Sequence, residues 1–155
     1  MSKKIPATLP SEHILIGALL RLPAQAIHRR IIADLNATGF SDLRLPHIAV
    51  FQYPGPDGEN PSILAKRAGM SKQAMNQLLG SLEDFGYLLR TKAPEEGRSR
   101  VVRFTQRGRD AYNRISEILR QVEKEWSREL GSAQFTQLKS LLVRVWNSPL
   151  VGKES

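Results

Sequence analysis

The chain has 155 residues, of which 41% are hydrophobic and 25% charged, a balance typical of one globular domain with a buried core. It has no cysteine, which excludes a disulfide framework and a thiolate metal site, and its three histidines are scattered, which argues against a metal cluster. Lys and Arg outnumber Asp and Glu by 23 to 15, and this net charge of +8 indicates a polyanionic partner such as nucleic acid or an anionic membrane surface. No segment has the roughly 18 apolar residues of a membrane span or signal-peptide character, so we expect a soluble, cytoplasmic protein without a membrane partner.

The positive charge is concentrated in the middle of the chain. Residues 62–109 contain ten basic and four acidic side chains, so this segment carries +6 of the total net charge of +8. We therefore expect the surface that binds a polyanion to lie in this segment.

Apolar residues recur at helical spacing in the first third of the chain. Residues 1–10 contain two prolines and two lysines and are expected to form a flexible arm. The stripe from Ile14 to Leu35 predicts helix over residues 11–36, with Ser11 as its N-cap and a stop signal at Gly39. Pro23 permits either one kinked helix or two helices end to end, of which the kinked helix is favoured.

A short helix is expected over residues 42–53, with Leu43, Ile48, Val50 and Phe51 facing inward. His47 lies among these residues and is interpreted as a surface or hydrogen-bonded core residue in preference to a ligand contact. The following YPGPDGENP contains three prolines and two glycines and predicts a loop.

Two short helices joined by a tight turn are predicted next. Ser62 is expected to cap the first, residues 63–68, which ends at Gly69, and Ser71 is expected to cap the second. The apolar stripe of the second helix comprises Ala74, Met75, Leu78, Leu79, Leu82 and Phe85. A turn of this length is typical of a helix-turn-helix motif.

The opposite face of the second helix is polar and comprises Lys72, Gln73, Asn76, Gln77, Gly80 and Ser81. Amides and cations pair bidentately with adenine and guanine edges, and no acidic residue occurs from Lys66 to Leu82 to repel phosphate. The alternative interpretation is an ordinary solvated face, since every amphipathic helix has one.

An arginine-tipped hairpin follows the second helix. Residues 87–92 predict a strand, residues 94–97 a turn, and residues 99–105 a returning strand with Val101 or Val102 and Phe104 inward. Arginines at the tip suit a narrow minor groove, although a solvated tip is the alternative. Glu96 is expected to orient the guanidinium of Arg98 or Arg100.

Two helices with long apolar stripes end the chain. Thr105 is expected to cap the first and Ser132 the second. The stripes comprise Ala111, Ile115, Ile118, Leu119, Val122, Trp126 and Leu130, then Phe135, Leu138, Leu141, Leu142, Val145 and Trp146. This is more apolar surface than a small winged core covers, so we expect the first helix and a second copy of the chain to cover it.

Three stretches carry a family resemblance. They are Ser62-Ile63-Leu64-Ala65, Gly69-Met70-Ser71, and Glu96-Gly97-Arg98-Ser99-Arg100 leading into Val102, Phe104, Thr105 and Gly108. Over residues 11–147 the chain resembles the multiple-antibiotic-resistance regulator (MarR) family of bacterial transcription factors. The resemblance implies a mainly α (α+β) fold, in which a winged helix-turn-helix domain at residues 42–105 is flanked by dimerisation helices at residues 11–36 and 106–147, with a tail at residues 148–155.

The resemblance also implies a function. The chain would be a transcriptional regulator, expected to repress by binding double-stranded DNA at a palindromic operator as a homodimer, with release by a small-molecule effector. By position, Ser71, Lys72, Gln73, Asn76 and Gln77 would enter the major groove. Ser62 would hold backbone phosphate, and the hairpin residues Arg98, Ser99 and Arg100 would also bind DNA, the two arginines in the minor groove. Glu96 in place of the family's usual Asp, Pro23 and the loop around Asp57 depart from the family pattern.

A winged-helix module that binds protein or RNA is the alternative function, because this fold also hosts such roles. The sequence lacks a nucleophile–base constellation, a phosphate loop and metal-ligand spacing. We therefore expect no enzymatic activity, no cofactor and no metal.

Overall fold

Helices form most of the structure, and one small sheet lies near its middle. The computed structural model describes residues 14–52, 56–92 and 100–152. In chain order the elements are α1 (Ile16–Ala37), α2 (Leu45–Phe51), α3 (Pro61–Ala68), α4 (Lys72–Asp84), β1 (Leu88–Lys92), β2 (Arg100–Phe104), α5 (Gln106–Leu130), α6 (Ser132–Trp146) and α7 (Pro149–Gly152). This order confirms the expected fold class, a winged helix-turn-helix with helices on both sides. Within the described residues, no helix combines the length and apolar character needed to cross a bilayer.

The first helix is continuous through Pro23, so a single helix is the correct alternative. It begins at Ile16 with Leu15 as N-cap, so the predicted start at Ser11 is wrong; Ser11 and the expected arm lie outside the described residues. Leu15 contributes no side-chain hydrogen bond to cap this end of the helix. After α1 the chain reverses at Gly39, where φ is 94°, as the predicted stop signal requires.

The second helix is shorter than expected, and the residues predicted to face inward are all buried: Leu43 just before α2, and Ile48, Val50 and Phe51 within it. His47 is also buried. Its Nδ1 accepts a hydrogen bond from the Arg44 backbone N–H at 2.9 Å, and its ring packs edge-on against Phe85. His47 is therefore a satisfied core residue, as interpreted from the sequence.

Of the three residues predicted to begin or end the two helices of the helix-turn-helix, Gly69 and Ser71 have the predicted roles and Ser62 does not. Gly69 ends α3 in the left-handed conformation with φ 63°, and the Ser71 Oγ accepts from the Ala74 N–H at 3.1 Å to cap α4. The prediction that Ser62 caps α3 is wrong. Asn60 is the cap, because Pro61 takes the first helical position and the Asn60 Oδ1 accepts from the Ser62 N–H at 2.8 Å.

The buried core lies beneath α4 and joins α2, the hairpin and α5. Tyr87 is at its centre, and the Phe51 ring stacks on Phe104 with centroids 5.4 Å apart. Met75, Leu79 and Leu82 are the fully buried residues of α4, whereas Ala74 and Leu78 are partly buried. Phe85, predicted to be inward, is 38% exposed because α4 ends at Asp84 and Phe85 is its C-cap.

The hairpin is antiparallel, with Leu88 opposite Phe104 and Lys92 opposite Arg100. Val101 and Val102 are both buried, so either predicted choice is correct.

The loop before α3 covers the outer edge of β2. Gly58 N–H donates to Val102 O at 2.6 Å, Val102 N–H donates to Glu59 O at 2.9 Å, and Phe104 N–H donates to Asp57 Oδ1 at 2.9 Å. These bonds satisfy backbone groups that an uncovered strand edge would leave open.

The last long helices differ in how far they are buried. Thr105 caps α5 as predicted, with its Oγ1 accepting from Gly108 N–H at 3.1 Å. Ser132 does not cap α6; Gly131, with φ 86°, is the N-cap and supplies no side chain. Four stripe residues of α5 are buried (Ala111, Ile115, Ile118 and Val122), whereas no residue of α6 is buried. The expected tail contains the short helix α7.

Candidate nucleic-acid interface

One face of α4 is polar and exposed. Lys72, Gln73, Asn76 and Gln77 are all exposed, since Met75 and the two buried leucines turn the other side of the helix into the core. Ser71 is exposed at the N-terminus, with its hydroxyl engaged as the cap. Gly80 and Ser81, also predicted to face outward, are partly buried. The structure thus brings five of the sequence-predicted site residues onto one helix face.

The surroundings of this face favour an anion. Lys66 and Arg67 are exposed on α3, and Arg67 forms an ion pair with Glu59 at 3.2 Å. No acidic residue lies in the first turn of α4, whose N-terminus carries the positive end of the helix dipole. A phosphate would therefore meet positive potential along the start of α4.

The acid-free face ends at Glu83, and Arg90 of β1 neutralises this carboxylate. Arg90 Nε and Nη2 donate to Glu83 Oε2 at 2.9 and 2.6 Å, and the Arg90 backbone N–H donates to Oε1 at 2.9 Å. The hydrogen bond from the Arg90 side chain is the main cause that lowers the pKa of Glu83, so the carboxylate stays ionised and paired. β1 is thereby fastened to the end of α4.

Arg90 also reaches the exposed face of α4. Its Nη1 donates to Asn76 Oδ1 at 3.4 Å, so a hairpin residue contacts a predicted base-reading residue. The sequence analysis missed both Arg90 and the role of Glu83. Their opposite charges on either side of the Gly86 turn were the only sequence signal for this pair.

The basic end of the hairpin lies near α4. Arg100 is exposed opposite Lys92 and is near enough for its positive charge to contribute to the lowered pKa of Glu83. Arg103 is exposed on the other face of the hairpin, close to Gly58. Arg98, Ser99 and Glu96 lie outside the described residues, so the orientation of Arg98 by Glu96 stays a prediction.

Ser62 lies in the first turn of α3, where its side chain is partly buried and its N–H is taken by Asn60. Its position at a helix N-terminus is compatible with a phosphate contact through the hydroxyl, and that role stays a prediction.

A cluster of three side chains fixes the base of the hairpin. Tyr87 OH donates to Asp42 Oδ1 at 2.5 Å, Arg107 Nη2 donates to Asp42 Oδ2 at 2.9 Å, and the Arg107 guanidinium lies 4.3 Å from the Tyr87 ring centroid. Burial and the hydrogen bond to Asp42 raise the pKa of Tyr87. The start of β1 is therefore held to the start of α5.

Two further surfaces lie away from α4. The beginning of α1 and the length of α6 expose large apolar side chains: Leu15, Ile16, Leu19, Leu20, Leu22, Leu141, Leu142, Val143, Val145 and Trp146. A groove of about 590 Å³ runs along α1 near α2, lined by Gln25, His28, Arg29, Ile32, Ala33, Asn36 and Leu45. The part of the chain that the structure describes contains no group of three potential metal ligands.

The paired helices α3 and α4, together with the β1–β2 hairpin, define a winged helix-turn-helix protein. No model of a known protein family matches the chain. It is 28% identical over 131 residues to the HTH-type transcriptional repressor Rv2887 of Mycobacterium tuberculosis, covering 84% of this chain and 92% of the relative.

Solved structures agree with this relationship. The complex of the MarR family protein Rv2887 with salicylic acid is 26% identical, with a TM-score of 0.60, and covers 87% of this chain and 98% of that one. A MarR family regulator from Rhodococcus sp. RHA1 is 20% identical, with a TM-score of 0.69 and coverage of 90% and 97%. The repressor CouR bound to a 23-mer DNA duplex is 20% identical, with a TM-score of 0.63 and coverage of 84% and 92%. The resemblance to the MarR family is therefore confirmed: the chain has the fold of these regulators and is related in sequence to a transcriptional repressor.

Proposed function

We propose that this chain is a sequence-specific, double-stranded DNA-binding transcriptional repressor. The observation that carries the proposal is the exposed, acid-free face of α4 next to the basic end of the hairpin. In this arrangement the start of α4 enters the major groove with Ser71, Lys72, Gln73, Asn76 and Gln77, while Ser62 contacts backbone phosphate. Arg98 and Arg100 then lie over the adjacent minor groove, with Ser99 between them.

The proposed active form is a homodimer. Its support is the apolar surface at the start of α1 and along α6, where large side chains are exposed in one copy of the chain; Val143, for example, is 56% exposed. A monomer rarely leaves so many large apolar side chains in water. Two-fold pairing through these helices would place two copies of α4 on half-sites about one helical turn apart, so the operator is expected to be palindromic.

A small-molecule effector is also proposed, at the groove on α1. Ile32, Ala33 and Leu45 provide an apolar side, and His28 and Arg29 provide polar groups suited to an anionic ring compound. The relative Rv2887 has been crystallised with salicylic acid, an aromatic carboxylate. Salicylate is therefore the first compound to test for release of DNA, with Arg29→Ala expected to weaken its effect.

Selection of bound fragments from a random duplex pool at physiological salt tests the main proposal. The expected result is a palindromic consensus whose binding constant falls steeply with salt, as counterion release requires. Absence of a consensus, or preferential capture of RNA, would favour the alternative of a winged-helix interaction module.

Variants on α4 and the hairpin separate base reading from phosphate binding. Asn76→Ala or Gln77→Ala should reduce discrimination between operator and random DNA by ~1–3 kcal/mol, whereas Arg100→Ala should weaken binding to both DNAs. Gln121→Ala, which removes an exposed amide from α5, is the matched control and should change neither. Equal losses on both DNAs for the α4 variants would show that these residues do not read bases.

A further inference from the structure

We propose that Arg90 is a positioning residue for base recognition: from β1 it holds the Asn76 amide so that Asn76 presents hydrogen-bond donors to DNA. The proposal rests on the proposed function, because it specifies how α4 reads one base pair. It also assigns a role in sequence readout to a residue that itself need not touch a base.

The chemistry of arginine determines which way the Asn76 amide points. A guanidinium carries only donors, so the atom of Asn76 that faces Arg90 Nη1 at 3.4 Å must be the acceptor Oδ1. The Nδ2 group is then directed away from Arg90. Because Asn76 is exposed, its two N–H donors are free to meet an acceptor on DNA.

Arg90 is well placed to impose this orientation because it is itself fixed at three points. Its backbone lies in the hairpin opposite Val102, and its Nε and Nη2 are both bound to Glu83 Oε2. Both side chains of this ion pair are largely shielded from water, with 22% of the Arg90 side chain and 26% of the Glu83 side chain exposed.

The guanidinium lies along one row of α4. A Cβ placed on Gly80 would be 3.8 Å from Arg90 Nη2, so the side chain passes over Gly80 between Glu83 and Asn76. Residues 76, 80 and 83 are spaced four and then three apart, which places them on the same side of a helix. Arg90 therefore joins the end of α4 to its exposed reading face.

This orientation changes the base preference expected of Asn76. Bidentate pairing with adenine requires Oδ1 to accept from N6 while Nδ2 donates to N7. With Oδ1 turned to Arg90, Nδ2 is the group that the proposal directs to the base, and its donors suit guanine O6 and N7 or thymine O4 and are mismatched to the N4 donor of cytosine. We therefore expect guanine or thymine, and not adenine, at the base position that Asn76 contacts.

The test compares consensus sequences selected by four full-length proteins from one random duplex pool. Asn76→Ala identifies the base pair that depends on Asn76. Arg90→Lys keeps the positive charge but not the forked donor geometry. Its preference for guanine or thymine at that base pair should fall roughly 5- to 10-fold, with adenine gaining, while other positions are unchanged. Arg103→Lys, on the opposite face of the hairpin, is the matched control and should select the wild-type sequence.

Two results of this selection would overturn the inference while leaving the proposed function intact. One is a wild-type preference for adenine at the Asn76-dependent base pair. The other is an Arg90→Lys consensus identical to that of the wild type. If the wild type selects no sequence at all, it is the proposed function that fails.

A measurement on the free protein separates these outcomes further. NMR relaxation of the Asn76 side-chain amide should show an ordered Nδ2 group in the wild type and a mobile one in Arg90→Lys, whether or not DNA is recognised. Equal mobility in both proteins would contradict the positioning role. If Arg90→Lys fails to fold, Glu83→Gln replaces it: that change keeps the side-chain shape, weakens the charge-assisted anchor of Arg90, and should shift the preference in the same direction.

Discussion

Two parts of the chain differ in how far their apolar residues are buried. We call residues 56–92 and 100–111 the winged centre, and α6 with the first half of α1 the outer helices. In the winged centre Leu64, Leu79 and Val102 are buried within one copy of the chain. In the outer helices the residues of the predicted stripes are at most partly buried. Similar apolar patterns therefore have different outcomes: one copy of the chain buries the apolar residues of its winged centre but leaves those of its outer helices at least partly exposed. Four predictions test this contrast, from the largest expected effect to the smallest.

Gly108→Ala should damage the winged centre most. A Cβ at Gly108 would lie 1.9 Å from the Tyr87 carbonyl oxygen and 3.3 Å from Phe104 Cβ, so α5 could not keep its position against β1. We expect a loss of about 3 kcal/mol in the free energy of unfolding, measured in urea. Gly80→Ala is the control, because its new methyl group would make only an ordinary contact and alanine favours helix; it should be neutral or stabilising. Similar losses for both variants would contradict the packing argument.

Leu142→Glu combined with Val145→Glu should break the outer helices' proposed contact with a second copy. Both residues are exposed in one copy of the chain, at 39% and 53%, so the protomer should remain folded while the dimer dissociates. Sedimentation at several concentrations is the measurement, and near-native circular dichroism confirms folding. Gln137→Glu adds charge to an exposed position earlier in α6 and serves as the control. A wild type that sediments as a monomer at all concentrations would remove the basis for the contrast.

His47, which lies in α2 and packs against Phe85 of the winged centre, should make the stability of the protein depend on pH. Burial lowers the pKa of His47, and its Nδ1 accepts a hydrogen bond that requires the unprotonated atom. Above the unfolded-state pKa of about 6.5 this contribution is fully present, and it should be lost as pH falls below that value, since the unfolded chain then binds the proton more readily.

His47→Gln is the variant that isolates this titration, because a glutamine at the same helix position can still accept from the Arg44 N–H. Urea unfolding of both proteins at several pH values between about 7 and 5 should show a steeper loss for the wild type. Parallel curves would mean that His47 has the same pKa in both states.

Asn60→Ala should have the smallest of these effects, a loss of about 1 kcal/mol for the missing N-cap of α3. Ser62→Ala should leave urea stability within about 0.5 kcal/mol of the wild type, because its side chain is not the cap. If Ser62 binds phosphate, the same variant should weaken DNA binding without changing the consensus. The reverse order of stabilities would restore Ser62 as the cap.

Much of the fold could be predicted because its signals are local. Ser71, Thr105 and Gly69 have the roles that capping chemistry gives them, and period-3.6 stripes located α4 and α5. The errors arose where two local signals competed. Asn60 and Ser62 are both good caps, and Pro61 between them decides the choice; Gly131 and Ser132 present the same competition at the start of α6.

The candidate site was predictable on α4 but not in its link to the hairpin. Exposed Lys72, Gln73, Asn76 and Gln77 follow from helical periodicity alone. The contacts of Arg90 with Glu83 and Asn76 depend on how the hairpin folds back on α4, and no spacing rule encodes this. The backbone hydrogen bonds of Gly58 and Glu59 with Val102 could not be predicted for a similar reason. Isolated backbone hydrogen bonds produce no periodic pattern in the sequence.

The anchoring of the first turn of α5 has a mechanical consequence. Thr105 Oγ1 donates to Tyr87 O at 3.0 Å and Arg107 Nη1 donates to Phe85 O at 2.5 Å, so hydrogen bonds tie the chain just after α4 to the start of α5. The 25 residues of α5 form a lever about 37 Å long. A tilt of only about 5° over that length displaces one end by about 3 Å, close to the axial step of ~3.4 Å between successive phosphates of one DNA strand. Under the proposed DNA-binding role, a slight tilt of the outer helices would therefore be enough to displace α4 by about the spacing of one base pair.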